Sequence, residues 1–249
     1  MDTTYLIENA AQEFWARAGE ASGFPRNMNA AITLALPLEL CCIEELRVNH
    51  VRAWLKRVRM AHRIGGKDRR LHGCLIAYKG KGAIFFDRLD SEAEQRFTLA
   101  HELAHFLLDY QATRQRTLEI LGPSILAVLD GERPPTLDER LHAALSTVSL
   151  GVMSHFMERP DKGLPSTAIL DVENRADRLA LELLAPAASL YDVMASSAAP
   201  RGFKRRLAFL QQQLIEVYGL PPLQADIYAD LILKQLGEPT FRDWLYGEA

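Results

Sequence analysis

"RFTLAHELAHFLLDY", Arg96 to Tyr110, sets two histidines four residues apart in a run that otherwise reads as helical core. His101, Glu102 and His105 are costly to bury, so a core helix that carries all three needs a use for them. Four residues is just over one helical turn. Both imidazoles therefore leave the same face as neighbours and can share one metal ion. Glu102 lies about a hundred degrees from His101 around the helix, beside the position such a metal leaves open, where it can act as a base. Two core histidines bonded to carbonyls would account for either ring alone; the triplet in one apolar turn fits a metal site better.

A catalytic zinc site takes three protein ligands and keeps one position open, so a third ligand is owed. The pattern HExxHxxGxxH would need glycine at 108 and histidine at 111, and Leu108 and Gln111 stand there. A carboxylate from a second helix is the other route. "ENRADRLALELLAP", Glu173 to Pro186, supplies Glu173 and Asp177 one turn apart. Glu173 is positioned to bind the metal, and Asp177 to accept a hydrogen bond from the outer nitrogen of a ligand histidine. Asp109, Glu119 and Glu182 are the rival ligands. His155 and Tyr110 are candidates to assist an oxyanion, while His50, His62, His72 and His142 have no partner the sequence names.

The chain has 249 residues, 48% hydrophobic and 24% charged, enough for one large domain or one domain with a small appendage. A net charge of -3 argues against a general nucleic-acid binder. The start, "MDTTYLIENAAQEFW", lacks a basic stretch followed by an apolar run and does not read as a secretory signal. The most apolar stretch, Ala30 to Ile43, is broken by Pro37 and Glu39 and is too short to span a bilayer. Cys41, Cys42 and Cys74 make no disulfide framework and are expected to be reduced, buried thiols in a cytoplasmic protein.

Periodicity and turn chemistry predict an amphipathic helix over 4–18, a strand over Leu36 to Ile43, and a helix carrying Val48, Val51, Trp54, Leu55 and Val58. Strands follow over Leu71 to Tyr78 and Ala83 to Asp87, with "KGKG" as the turn. Ser91 with Glu94 forms a capping box that opens the HExxH helix, and Thr136 with Glu139 opens another. The helix around Glu173 stops before Pro186, "MASSAAPRG" (194–202) reads as a linker, and Phe203 to Tyr218 and Pro222 to Leu236 form a helical hairpin. The fold class is α+β, predominantly helical, with a small mixed or antiparallel sheet. The expected division is a domain over 1–193 that carries the HExxH site, with a long helical insert at about 111–168, and a packing or docking hairpin over 203–249. The insert is expected to form one wall of the cleft. Ala83 to Asp87 would offer a substrate strand free backbone groups if it is a sheet edge. The segment 52–70 holds eight Lys or Arg residues and one acid, and reads as a solvated face rather than a DNA contact. In the hairpin, Asp226 and Asp230 against Lys234 argue against a recognition helix.

"QRFTLAHELAHFLL" followed by "ENRADRLALELLAP" resembles the ImmA/IrrE family of metallo-endopeptidases. There an "RFTLAHELGH"-like helix precedes an "ExxANxFAxxLLMP"-like one, and "GCLIAYKGKGAIFFD" is similar to the strands before the active helix. The resemblance covers roughly 36–110 and 168–240. It implies a zincin-like core, His101, His105 and Glu173 as metal ligands, and Glu102 as catalytic base. Leu179 stands where phenylalanine is usual, Ala185 replaces a methionine, and 68 residues between His105 and Glu173 exceed the expected spacing. The implied cofactor is zinc, although the ligand set also suits manganese or iron. The implied partner is a protein substrate, a helix-turn-helix transcriptional repressor. The alternative is a metal-binding regulatory module of the same fold that cleaves nothing; an intact Glu102 favours the enzyme.

Overall fold

Lys79 and Gly80 both take the left-handed backbone conformation, with φ of 48° and 75°. Two such residues in a row close a two-residue hairpin whose twist matches its strands. In the computed structural model, which describes residues 3–19, 23–145, 151–158, 167–196 and 199–237, this turn joins β2 (Leu71–Tyr78) to β3 (Lys81–Asp87). The second strand starts two residues earlier than its first alanine suggests, because Lys81 pairs with Tyr78 directly across the tight turn.

β1 (Leu38–Ile43) runs parallel to β3. β4 (Met153–Glu158) runs antiparallel to β2, so the order is β1-β3-β2-β4. The sheet is mixed. β3 is an interior strand, which corrects the expectation of a substrate platform at Ala83 to Asp87: its backbone groups are already engaged by β1 and β2. Among the described residues the edges are β1 and β4.

The strand period of two sorts side chains between two layers. Cys74, Ile76, Ala83 and Phe85 pack with Val48, Val51, Trp54 and Leu55 of α3 (Val48–Arg57). Leu75, Ala77, Ile84 and Phe86 face the other way, into the larger core. That core is built on α4 (Glu92–His105), with α1 (Thr3–Arg17) and α2 (Met28–Ala35) beside it. The Ser91–Glu94 capping box opens α4 as its sequence predicts. After His105 the helix continues as a π-helical turn over Phe106–Gln111 and then as α5 (Ala112–Leu121).

The insert therefore begins as an extension of the HExxH helix. It goes on through α6 (Leu126–Leu129) and α7 (Leu137–Leu145), the latter opened by the Thr136–Glu139 box, before β4. α8 (Thr167–Leu184) packs along α4 more extensively than any other helix does. α9 (Ala187–Ala195) takes in Met194 at the start of the expected linker, because that side chain is buried in the core. The hairpin of α10 (Phe203–Glu216) and α11 (Pro222–Gln235) places Leu210, Leu214, Tyr228 and Ile232 in the same buried cluster as α4 and α8. Residues 238–249 of the expected hairpin segment, and 146–150 and 159–166 of the insert, lie outside the described residues.

Two arginines of the basic segment make structural bonds: Arg52 donates to the carbonyls of Ile64, Gly65 and Gly66, and Arg69 pairs with Glu158 on β4, while Lys56, Arg57, Arg59, Arg63, Lys67 and Arg70 are exposed. Cys74 is buried, Cys41 is half-buried and Cys42 is exposed, and all three are free thiols. Cys42 thus departs from the expected burial, since β1 is a sheet edge. No described helix is long and apolar enough to cross a membrane.

Candidate metal centre

Helical spacing brings His101 and His105 together as expected. Their Nε2 atoms stand 3.1 Å apart, and both rings are almost wholly buried. Each ring is held from behind by a carboxylate. His101 donates its Nδ1–H to Asp177 Oδ1 at 2.8 Å, and His105 donates its Nδ1–H to Asp109 Oδ2 at 2.7 Å. Carboxylates at these positions can only accept, which fixes the tautomers and turns both Nε2 atoms toward one point.

α8 delivers the third group. Glu173 Oε2 lies 3.3 Å from His101 Nε2 and 3.8 Å from His105 Nε2. Asp177, one turn further along the same helix, takes the outer nitrogen of His101. The rivals fall elsewhere. Asp109 backs His105 and is held by Arg175; Glu119 accepts from Gln115 on α5; and Glu182 accepts from the Ala187 N–H. Tyr110 stands against the hairpin turn, where its hydroxyl accepts the Gly80 N–H at 2.8 Å.

His155 is the residue the sequence underrated. It sits on β4 opposite Leu75 of β2. Its neighbours on the same side, Met153 and Met157, pack into the α4 core, while Phe156 packs on the α3 side. Its Nδ1 is 2.9 Å from Glu102 Oε2 and its Nε2 is 3.0 Å from Glu173 Oε1. The ring stacks on His105 with centroids 3.6 Å apart. His101, His105, His155 and Glu173 each offer a ligand atom, and all four atoms lie within 4.8 Å of one another. The alternation Met153, His155, Met157 was the available sign of a strand face. Nothing local said which strand it would pair with.

Glu102 is fully buried, and its Oε1 has no hydrogen-bond partner among the described residues. It reaches the cluster because β2 carries Gly73 beneath it. A Cβ at Gly73 would come within 2.4 Å of Thr98 Cγ2 and 3.1 Å of Glu102 Oε1. The missing side chain lets α4 lie close on the sheet.

The electrostatics favour a cation. Burial opposes charge on His101, yet Asp177 and Glu173 push it up to about 9. Burial likewise opposes charge on His155, and Glu102 with Glu173 push it up to about 10. Burial would raise Glu173, but the three histidines hold it far below the ordinary carboxylate range. The donor set fits a small divalent metal. Zinc–ligand bonds of about 2.0–2.1 Å in a tetrahedron separate neighbouring ligand atoms by about 3.3–3.4 Å, close to the spacings of 3.1, 3.3 and 3.8 Å among His101, His105 and Glu173.

Residues 59–122 match the model of a peptidase family described as the IrrE N-terminal-like domain. The match starts two residues after α3, runs through β2, β3 and the whole HExxH helix to the end of α5, and supports the ImmA/IrrE resemblance read from the sequence. It covers about a quarter of the chain, and His155, Glu173 and Asp177 lie beyond it. No curated protein and no solved structure matched the chain.

Proposed function

We propose that this chain is a zinc-dependent endopeptidase of the cytoplasm, whose substrate is a helix-turn-helix transcriptional repressor. The observation that carries the peptidase reading is Glu102, a fully buried carboxylate with one unpartnered oxygen, beside two histidines and a glutamate that converge on one point. A purely structural metal site needs ligands and has no use for such a base. Three free thiols accord with a reducing compartment. The peptidase family matched by residues 59–122 accords with a protein substrate, and the ImmA/IrrE resemblance narrows that to a repressor.

In this reading His101, His105 and Glu173 hold the metal, and Asp177 and Asp109 orient the two rings. When bound, the metal polarises the scissile carbonyl and makes water acidic enough to deprotonate near neutral pH. Glu102 accepts the proton from the attacking water as its oxygen bonds to the carbonyl carbon. It then returns that proton to the amine nitrogen as the carbon–nitrogen bond breaks.

A second reading, a metal-binding module without turnover, draws on His155, which with the other three could complete a closed four-ligand site. The test is metal analysis of the purified protein together with a cleavage assay on a candidate repressor. Stoichiometric zinc with one discrete cut supports the enzyme; zinc without any cut, even on an unfolded form of the repressor, supports the module.

A further inference from the structure

His155 occupies the ground where the chemistry has to happen. The attacking water of a metallopeptidase must lie between the base and the metal, in reach of both. Here the His155 ring stands between Glu102 and Glu173, 2.9 Å from Glu102 Oε2 on one side and 3.0 Å from Glu173 Oε1 on the other, stacked flat on His105. Its Nε2 points into the group formed by His101, His105 and Glu173. Catalytic zinc sites keep a position open, whereas sites with four protein ligands are closed.

The element that carries the ring is suited to moving it. β4 is an edge strand paired on one side only among the described residues, and every one of its side chains is at least partly exposed. The α4 side chains beneath it are fully buried. The geometry points to a displaceable cap: His155 Nε2 is a fourth metal ligand in the resting protein, and it must leave before substrate and water can reach the metal and Glu102. This rests on the metallopeptidase reading above, because it concerns the same metal.

The test uses full-length protein reconstituted with Co2+ and probed with acetohydroxamate, a small metal-binding anion. X-ray absorption on the unaltered protein should count three imidazoles, and its visible bands should not respond to acetohydroxamate. His155→Ala should still bind Co2+, with a dissociation constant raised about tenfold or more, since losing even an outer-shell partner costs about 10–100-fold. Its bands should shift when acetohydroxamate is added. Two imidazoles in the unaltered protein, or bands that respond to acetohydroxamate as readily as those of the variant, would overturn the cap while leaving the metal centre standing. Failure of the unaltered protein to take up Co2+, or uptake unaffected by His101→Ala, would instead remove the metallopeptidase reading itself. If His155→Ala does not fold, the imidazole count decides alone.

Discussion

α4 and β4 bring side chains to the same few ångströms by opposite routes. On α4, His101, Glu102 and His105 are fixed by the helical repeat, buried to within 2% of full burial, and locked by a capping box at one end and a π-helical turn at the other. On β4, His155 depends on register with β2, and its strand keeps a free edge and partial exposure throughout. The first region supplies a rigid half of the site and the second a half that can move at lower cost. Burial on all sides makes rearrangement expensive, because a packed core has no space to accept a displaced ring. A sheet edge that is partly exposed along its length opens more readily.

That contrast can be broken most forcefully at Glu102. Glu102→Gln should retain metal and fold while cleavage falls by about 10²–10⁴, measured by metal content, circular dichroism and initial rates. A variant that cleaves at the original rate would show that the rigid half carries no chemistry. Next in size is the ligand from α8. Glu173→Ala should leave the purified protein largely metal-free, whereas Asp177→Ala and Asp109→Ala should each weaken metal binding by about 10–100-fold, as for other groups that orient ligand histidines. Titration against a competing chelator separates these cases, and equal affinity in Glu173→Ala and the unaltered protein would remove Glu173 from the ligand set.

Gly73 tests how rigid the α4 half is. A methyl group there meets Thr98 Cγ2 at 2.4 Å and Glu102 Oε1 at 3.1 Å, so Gly73→Ala should cost about 1–3 kcal/mol through overpacking and lower turnover by tilting Glu102. Unchanged thermal unfolding would mean that the helix yields easily and that the contrast with β4 is overstated. The smallest effect is expected at Tyr110. Tyr110→Phe removes the hydroxyl that accepts the Gly80 N–H and should cost about 0.5–1.5 kcal/mol with rates unchanged. A large loss of rate would assign Tyr110 an oxyanion role instead.

Much of this arrangement was readable in one dimension. HExxH and the Glu173–Asp177 pair depend only on the turn of a helix, so their spacing announced them. The two capping boxes and the Lys79–Gly80 turn rest on contacts within four residues, and they appear where the sequence put them. The alternating strands and the helical hairpin followed from periods of two and 3.6 residues. What the sequence by itself determined is therefore each element and the face it presents. Which elements meet was decided only by the tertiary structure. The placement of β3 inside the sheet, the meeting of Asp177 with His101, and the arrival of His155 over Glu102 all depend on contacts between distant segments. His155 reaches the cluster because β4 pairs with β2 in the register that sets it beside Leu75, one inward position from Gly73. A shift of one residue would have turned its ring to the α3 side. Register of that kind is set by packing on both faces of a sheet, and no local pattern in "VMSHFME" records it.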